Sequence, residues 1–223
     1  MMPQSISKKI LIYLFILFTL TTITNNKISF DFYKVKEVNI IGLNHIEKRK
    51  LYNDFEIFKN NNIFLFNKED ISKIIYSNKT VEEFEIDKIY PSKLNIKIKK
   101  TKFLALTKKN GKDVLLGANG NMIEKNDDNY ELPYIFGNID INNFLYVKKI
   151  IDISPFEYEN IKEFYYFKTN RWDILTKDGI TLRMPSNLSI DKLSLIFKII
   201  NNPDFYNIKI FDFRQNNMLV INE

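Results

Sequence analysis

The sequence predicts an α+β protein: a single N-terminal transmembrane helix, a β-α-α-β-β domain, and then a mainly antiparallel β domain with flanking helices. Three observations carry that reading. Residues 10–24 hold no charge and follow the pair Lys8 and Lys9. Residues 35–99 pass from β-branched alternation to helical spacing and back to alternation. From residue 103 onward, short apolar runs recur between Gly, Asn and Pro turn signals.

The apolar run comes first in the chain. Its fifteen positions span about 22 Å, short of the ~30 Å hydrocarbon core, so a full span draws in residues to 28 while Lys8 and Lys9 reach for the interface. Thr22-Ile23-Thr24 is a poor cleavage site for a secretory signal, which favours an uncleaved anchor. The two lysines on its leading side predict a cytoplasmic leader over residues 1–9, an anchor over 10–28, and everything beyond exported.

Residues 35–43, Val-Lys-Glu-Val-Asn-Ile-Ile-Gly-Leu, read as a strand closed by a turn. Ile46, Leu51, Phe55 and Phe58 set an imperfect helical face, and His45 stands where that helix begins. After Asn60-Asn61-Asn62, residues 67–76 give a second short helix with acids in its first turn. Phe84 and Ile86 alternate with charges, Tyr90-Pro91-Ser92-Lys93 turns the chain, and Leu94, Ile96 and Ile98 alternate in return. The helices intervene between the first strand and this hairpin, so one strand must join out of sequence order, leaving the helices to cover one sheet face. This domain is placed at residues 32–102.

The second domain, 103–223, begins as a meander: strands at 103–107, 114–116 and 122–123. Residues 132–137 read as punctuation. Phe144, Val147, Ile150 and Ile151 make a helical face, followed by strands at 161–167, 172–176 and 181–184, the last two joined through Asp178-Gly179. Ser189 caps a helix whose Ile190, Leu193, Phe197 and Ile200 share a face, stopped at Asn201-Asn202-Pro203. Two strands close the sequence, at 208–213 and 218–221.

Composition narrows the chemistry. The 223 residues are 45% hydrophobic and include no Cys and one His, which removes thiol nucleophiles, disulfides, Cys/His zinc sites and any imidazole-centred triad not built on His45. Net charge is +6, and Lys8, Lys9 and Lys27 flank the apolar run, so +3 remains for the rest and no nucleic-acid footprint stands out. Glu82, Glu83, Glu85 and Asp87 offer paired carboxylates, but a solvated strand face opposite Lys97 and Lys99 explains them. Trp172 reads as core. The terminal strand, Met218, Leu219, Val220 and Ile221, has no Pro or Lys to block pairing. At a sheet edge it is open to strand addition by a partner; the alternative is a strand paired on both sides.

Residues 35–43, Asn62-Ile63-Phe64 and the run 86–98 resemble the POTRA domain of the cell-division family FtsQ/DivIB. Leu132-Pro133, Asn170-Arg171-Trp172-Asp173, Asp178-Gly179 through Pro185, and Phe211-Asp212-Phe213-Arg214 resemble that family's β domain. The resemblance implies a non-enzymatic inner-membrane scaffold at the division septum. It implies no metal, cofactor, nucleic acid or small-molecule substrate. Its partners are FtsB, FtsL and other divisome proteins, with an FtsB segment adding to the terminal strand. By position, Met218, Leu219, Val220 and Ile221 supply that edge, and Arg171 and Arg214 pair with partner carboxylates. Gln215 departs from the family, whose well-known members carry an aromatic residue there. Two other readings stand beside this one. The first is another POTRA-bearing assembly or secretion component, which requires a downstream barrel. The second is a secreted carboxylate-dependent hydrolase.

Overall fold

The computed structural model describes residues 8–23, 33–65, 67–126, 128–215 and 218–222. Helix α1, Lys8–Ile23, carries the apolar run in sixteen residues. Among the described residues no helix is long and apolar enough to cross a membrane. Residues 1–7 of the expected leader and 24–28 of the expected anchor lie outside the described residues.

The chain divides into two compact units, residues 1–74 with 85–97 and residues 75–84 with 98–223. Strand β1, Glu37–Ile41, leads to α2, His45–Phe55, then α3, Lys68–Ser77, and the hairpin β2, Val81–Ile89, and β3, Lys93–Lys100. The sheet order is β1-β3-β2, with β1 parallel to β3 from Glu37↔Lys93 to Ile41↔Lys97. Parallel neighbours need a crossover, and α2 and α3 provide it. Along β3 the buried positions are Leu94, Ile96 and Ile98, the alternation of a strand with one covered face.

Local chemistry sets the helix start. α2 begins at His45, as expected, and Asn44 caps it: its Oδ1 accepts from the Glu47 backbone N–H at 2.9 Å, and Glu47 Oε2 accepts from the Asn44 N–H at 3.1 Å. This capping box satisfies two donors that the first turn leaves unpaired. Within α2, Leu51 and Phe55 are buried, whereas Ile46 is exposed. Ile46 lies in the first turn and takes no part in the expected face.

The nine-stranded sheet belongs to the second unit. Its strands are β4, Phe103–Lys109; β5, Lys112–Gly117; β6, Met122–Glu124; β7, Tyr134–Phe136; β8, Ile161–Phe167; β9, Arg171–Thr176; β10, Thr181–Arg183; β11, Ile210–Asp212; and β12, Val220–Asn222. Their order is β12-β11-β10-β9-β8-β7-β4-β5-β6. Pairs β10–β11, β4–β7 and β7–β8 are parallel, and the remaining five are antiparallel. The sheet is thus mainly antiparallel: β4, β5 and β6 form the expected meander, and beyond it β7 joins β4 out of sequence order. Helix α4, Ile141–Ile153, crosses from β7 to β8, and α5, Ile190–Ile200, crosses from β10 to β11.

Strand β7 falls where the sequence suggested punctuation. It is three residues long, too short to alternate, and is bounded by Pro133 and Gly137. It nonetheless sits between two parallel neighbours, with Ile135 buried. Both helices bury their apolar faces against one side of the sheet, where Phe144 and Ile151 of α4 and Leu193 and Ile196 of α5 meet Phe164, Trp172, Ile174, Leu182 and Phe211. Ile196 replaces the expected Ile190, which is exposed. The Trp172 indole N–H donates to Asn143 Oδ1 at 2.7 Å, so the aromatic ring is buried with its polar atom satisfied.

Candidate functional site

Strand β12 is an edge. Its one partner in the sheet is β11, antiparallel, with Ile210↔Asn222, Phe211↔Ile221 and Asp212↔Val220. The strand starts at Val220, not at Met218 as expected. All three of its residues are exposed. An edge strand presents a row of backbone N–H and C=O groups without strand partners, and here neither Pro nor a bulge blunts it.

The side chains flanking this edge follow from period-two alternation. On β9, Trp172 and Ile174 face the helices, which sends Arg171 and Asp173 to the opposite face of the sheet. Leu182 does the same for Arg183, and Phe211 for Asp212. Register then aligns one row across six strands: Phe136, Tyr165, Asp173, Arg183, Asp212 and Val220. At its far end the Phe136 and Tyr165 rings stack with centroids 5.0 Å apart. Near the edge it is ionic.

Asp212 is the hub. It accepts from the Arg214 backbone N–H at 3.1 Å and from Arg214 Nε at 2.8 Å on each oxygen, and Arg214 Nη2 also bonds to Oδ2. Arg183 Nη1 reaches Oδ2 at 3.5 Å. These donors, Arg214 foremost, hold the Asp212 carboxyl below the usual carboxylate range. Asp173 goes the other way: burial pushes its pKa up despite Arg171, Arg183 and Arg214 nearby. Arg171 Nε lies 3.4 Å from Asp173 Oδ1 without hydrogen-bond alignment, and both buried atoms lack a hydrogen-bond partner. The Arg171 guanidinium sits over the Phe167 ring at 4.3 Å. Within this cluster three arginines stand against two aspartates, with Asp173 the weaker of the two anions.

The structure therefore brings both expected arginines to one place. Arg171, Arg214, Asp212, Gln215 and Val220 line a single cavity of about 410 Å3. Met218 and Leu219 precede the strand and line a separate apolar cleft of about 280 Å3 with Leu195, Ile196, Ile199 and Phe213. Sequence reasoning did not single out Asp173, Arg183 or Asp212. The signal was present: counting outward from Asp178 in the hairpin turn sets Asp173 opposite Arg183, as observed.

Elsewhere, the paired carboxylates of β2 are engaged by lysines. Lys97 Nζ lies 3.2 Å from Asp87 and 3.8 Å from Glu85, and Lys99 Nζ lies 3.0 Å from Glu83 and 3.3 Å from Glu82. They form the solvated charged face that the sequence suggested. Among the described residues no group of three His, Cys, Asp or Glu side chains is placed to hold a metal ion.

The chain is thus a β-α-α-β-β domain followed by a mixed sheet that ends in an open edge. The FtsQ-type POTRA domain model matches residues 33–100, and the model for the C-terminal region of the cell division proteins FtsQ/DivIB matches residues 105–214. The chain belongs to the FtsQ/DivIB family. It is 26% identical over 153 residues to a cell division protein DivIB of Staphylococcus aureus, covering 66% of this chain and 35% of that one. It is also 26% identical over 159 residues to a Clostridium botulinum DivIB, covering 71% of this chain and 55% of that one. A Clostridium tetani DivIB is 30% identical over 97 residues, 44% of this chain and 37% of its own. The chain thus spans between a third and just over half of the length of these relatives.

Proposed function

We propose that this protein is a non-enzymatic scaffold of the bacterial cell-division machinery, held in the inner membrane by residues 10–28 and working at the septum through binding alone. On this reading residues 32–102 are the POTRA domain and 103–223 the partner-binding β domain. The partners implied by the family resemblance are the small bitopic proteins FtsB and FtsL. A partner segment adds as a further strand beside β12, while its carboxylates meet Arg171 and Arg214.

The observation that carries the reading is the position of β12 at the sheet edge, with Val220 in the same cavity as both arginines. Backbone pairing supplies affinity in strand addition, and pockets for alternate side chains supply specificity. Here Val220 and Ile221 point to opposite faces, one toward the arginines and one toward the helix side.

In-cell photo-crosslinking tests it, with the reactive residue placed in turn at Met218, Leu219, Val220 and Ile221 and a control at Lys97. Capture of one small bitopic membrane protein from the edge positions and not from Lys97 is the expected result. An abundant, membrane-held protein that crosslinks at none of the four sites would refute the edge as the binding surface.

A further inference from the structure

Three aromatic rings meet at one corner of the first unit. Phe64, in the short turn Ile63–Leu65, has its ring centroid 5.2 Å from that of Tyr33, and it stacks on Tyr90 at 4.9 Å with 21° between the planes. Phe64 remains 55% exposed and Tyr90 54% exposed. Ile89, beside Tyr90, is exposed too. The core beneath is formed by Val35, Ile63 and Leu94, all fully buried, with Tyr33 packed against it, so the exposed surfaces of the Phe64 and Tyr90 rings are surplus to it.

The corner has a defined place in the sheet. The Lys36 N–H donates to Ser92 O at 2.8 Å and Glu37 pairs with Lys93, which puts the turn bearing Tyr90 at the starting end of β1. Ile46 follows the far end of that strand, about 17 Å on at 3.3 Å per residue. On the anchor reading of residues 10–28, four residues, 29–32, separate the anchor from Tyr33, and fully extended they reach at most ~14 Å. If α1 is embedded in a bilayer, the tether keeps this end of β1 beside the membrane surface at high effective concentration.

The chemistry suits that surface. Segments 33–36 and 88–93 contain Lys34, Lys36, Lys88 and Lys93 and no acid; Lys93 is engaged by Glu37 at 2.7 Å. Tyrosine rings prefer the headgroup level, and neighbouring lysines favour anionic lipid. We propose that the Tyr33, Phe64 and Tyr90 corner is a lipid-contact site that seats at the headgroup boundary of an anionic bilayer. The contact sets the height and tilt of the POTRA domain above the membrane. This inference rests on the anchor reading given above.

The absence of cysteine allows a direct test. Full-length protein carrying Ser92→Cys, Ile46→Cys or Leu14→Cys is labelled with one fluorophore and reconstituted in phosphatidylcholine vesicles containing a minority of phosphatidylglycerol. Spin-labelled lipids then quench from the headgroup or from the acyl chain. The label at position 92 is expected to be quenched by headgroup probes about threefold more than the label at 46, and less so without phosphatidylglycerol. Adding Phe64→Ser and Tyr90→Ser, both at exposed rings, brings position 92 down to the level of position 46. Acyl-chain quenching at position 14 with equal quenching at 92 and 46 overturns the lipid contact and leaves the anchor standing. Full quenching at 92 after loss of both rings overturns the role of the aromatic corner. No acyl-chain quenching at position 14 removes the anchor and this inference with it.

Discussion

Asp212 grips Arg214 from two positions away, with Nε at 2.8 Å from each carboxylate oxygen and the Arg214 backbone N–H at 3.1 Å from Oδ1. The guanidinium that a partner would meet beside β12 is therefore already charge-paired within the domain. A partner carboxylate must share Arg214 with Asp212 or turn to Arg171 and Arg183. On the proposed strand addition, that competition makes recognition depend on how firmly Asp212 holds its arginine.

The two aspartates of this face titrate in opposite senses. Asp212 has its pKa lowered, so its contribution to stability is complete above the unfolded-state value and is lost as pH falls through the lower folded value. Asp173 has its pKa raised, so its contribution is complete below the unfolded-state value and is lost as pH rises through the higher folded one. On acidification, stability should rise slightly above the usual carboxylate range and fall below it. Denaturant midpoints measured across acid pH should show Asp173→Asn reducing the rise and Asp212→Asn reducing the fall, to which Glu124, whose pKa Lys112 also lowers, contributes as well. At neutral pH Asp212→Asn costs about 1 kcal/mol, modest because Arg214 is partly exposed.

Ile221→Pro should disable the edge without unfolding the domain. The ring removes a backbone N–H and obstructs an incoming strand, while β12 is three exposed residues long and contributes little to the core. The expected loss of stability is below about 2 kcal/mol, with crosslinking at Val220 falling at least about tenfold. Undiminished crosslinking in a folded variant would exclude strand addition at this position.

The chain has one tryptophan, and it is 2% exposed. Its emission should be that of a buried indole and should shift to the red in one step with unfolding of the sheet core. Asn143→Ala removes the acceptor for the Trp172 N–H and leaves that donor buried without a partner. A destabilisation of about 1–3 kcal/mol should follow, measured by the same fluorescence.

Gly137 and Gly111 make a controlled pair. Both have positive φ, 107° and 79°, so alanine at either pays for a left-handed backbone. At Gly137 a Cβ would also lie 2.3 Å from the Tyr166 carbonyl oxygen, whereas at Gly111 nothing lies within 4 Å. Gly111→Ala should cost about 1 kcal/mol and Gly137→Ala about 3 or more, by chemical denaturation. Equal effects would show that β7 and β8 can separate at this turn without cost.

The elements most legible in the sequence were those with long periodic signals. The buried face of α4 at Phe144, Val147, Ile150 and Ile151 follows directly from i, i+3, i+4 spacing. The Asp178-Gly179 turn joins β9 to β10 as its chemistry demands, and Ser189 caps α5 by accepting from the Lys192 N–H. What escaped was short or nonlocal. β7 is three residues between a Pro and a Gly, and its pairing with β4 and β8 depends on residues up to about thirty positions away. Ile46 and Ile190 fit a helical period by spacing yet lie in first turns, where the helix has not yet reached the sheet.

Sequence alone determined the order of the longer elements, the Asp178-Gly179 turn, the Ser189 cap, the charged face of β2 and the presence of an apolar terminal strand, because each depends on side chains close in the chain. Only the tertiary structure decided that β12 is an edge and not an inner strand. It alone placed Arg171 and Arg214 in one cavity, and gave Asp212 possession of Arg214. Sheet order is set by which strands bury their shared face beneath α4 and α5. That choice is made by long-range packing between segments whose local patterns leave either outcome open.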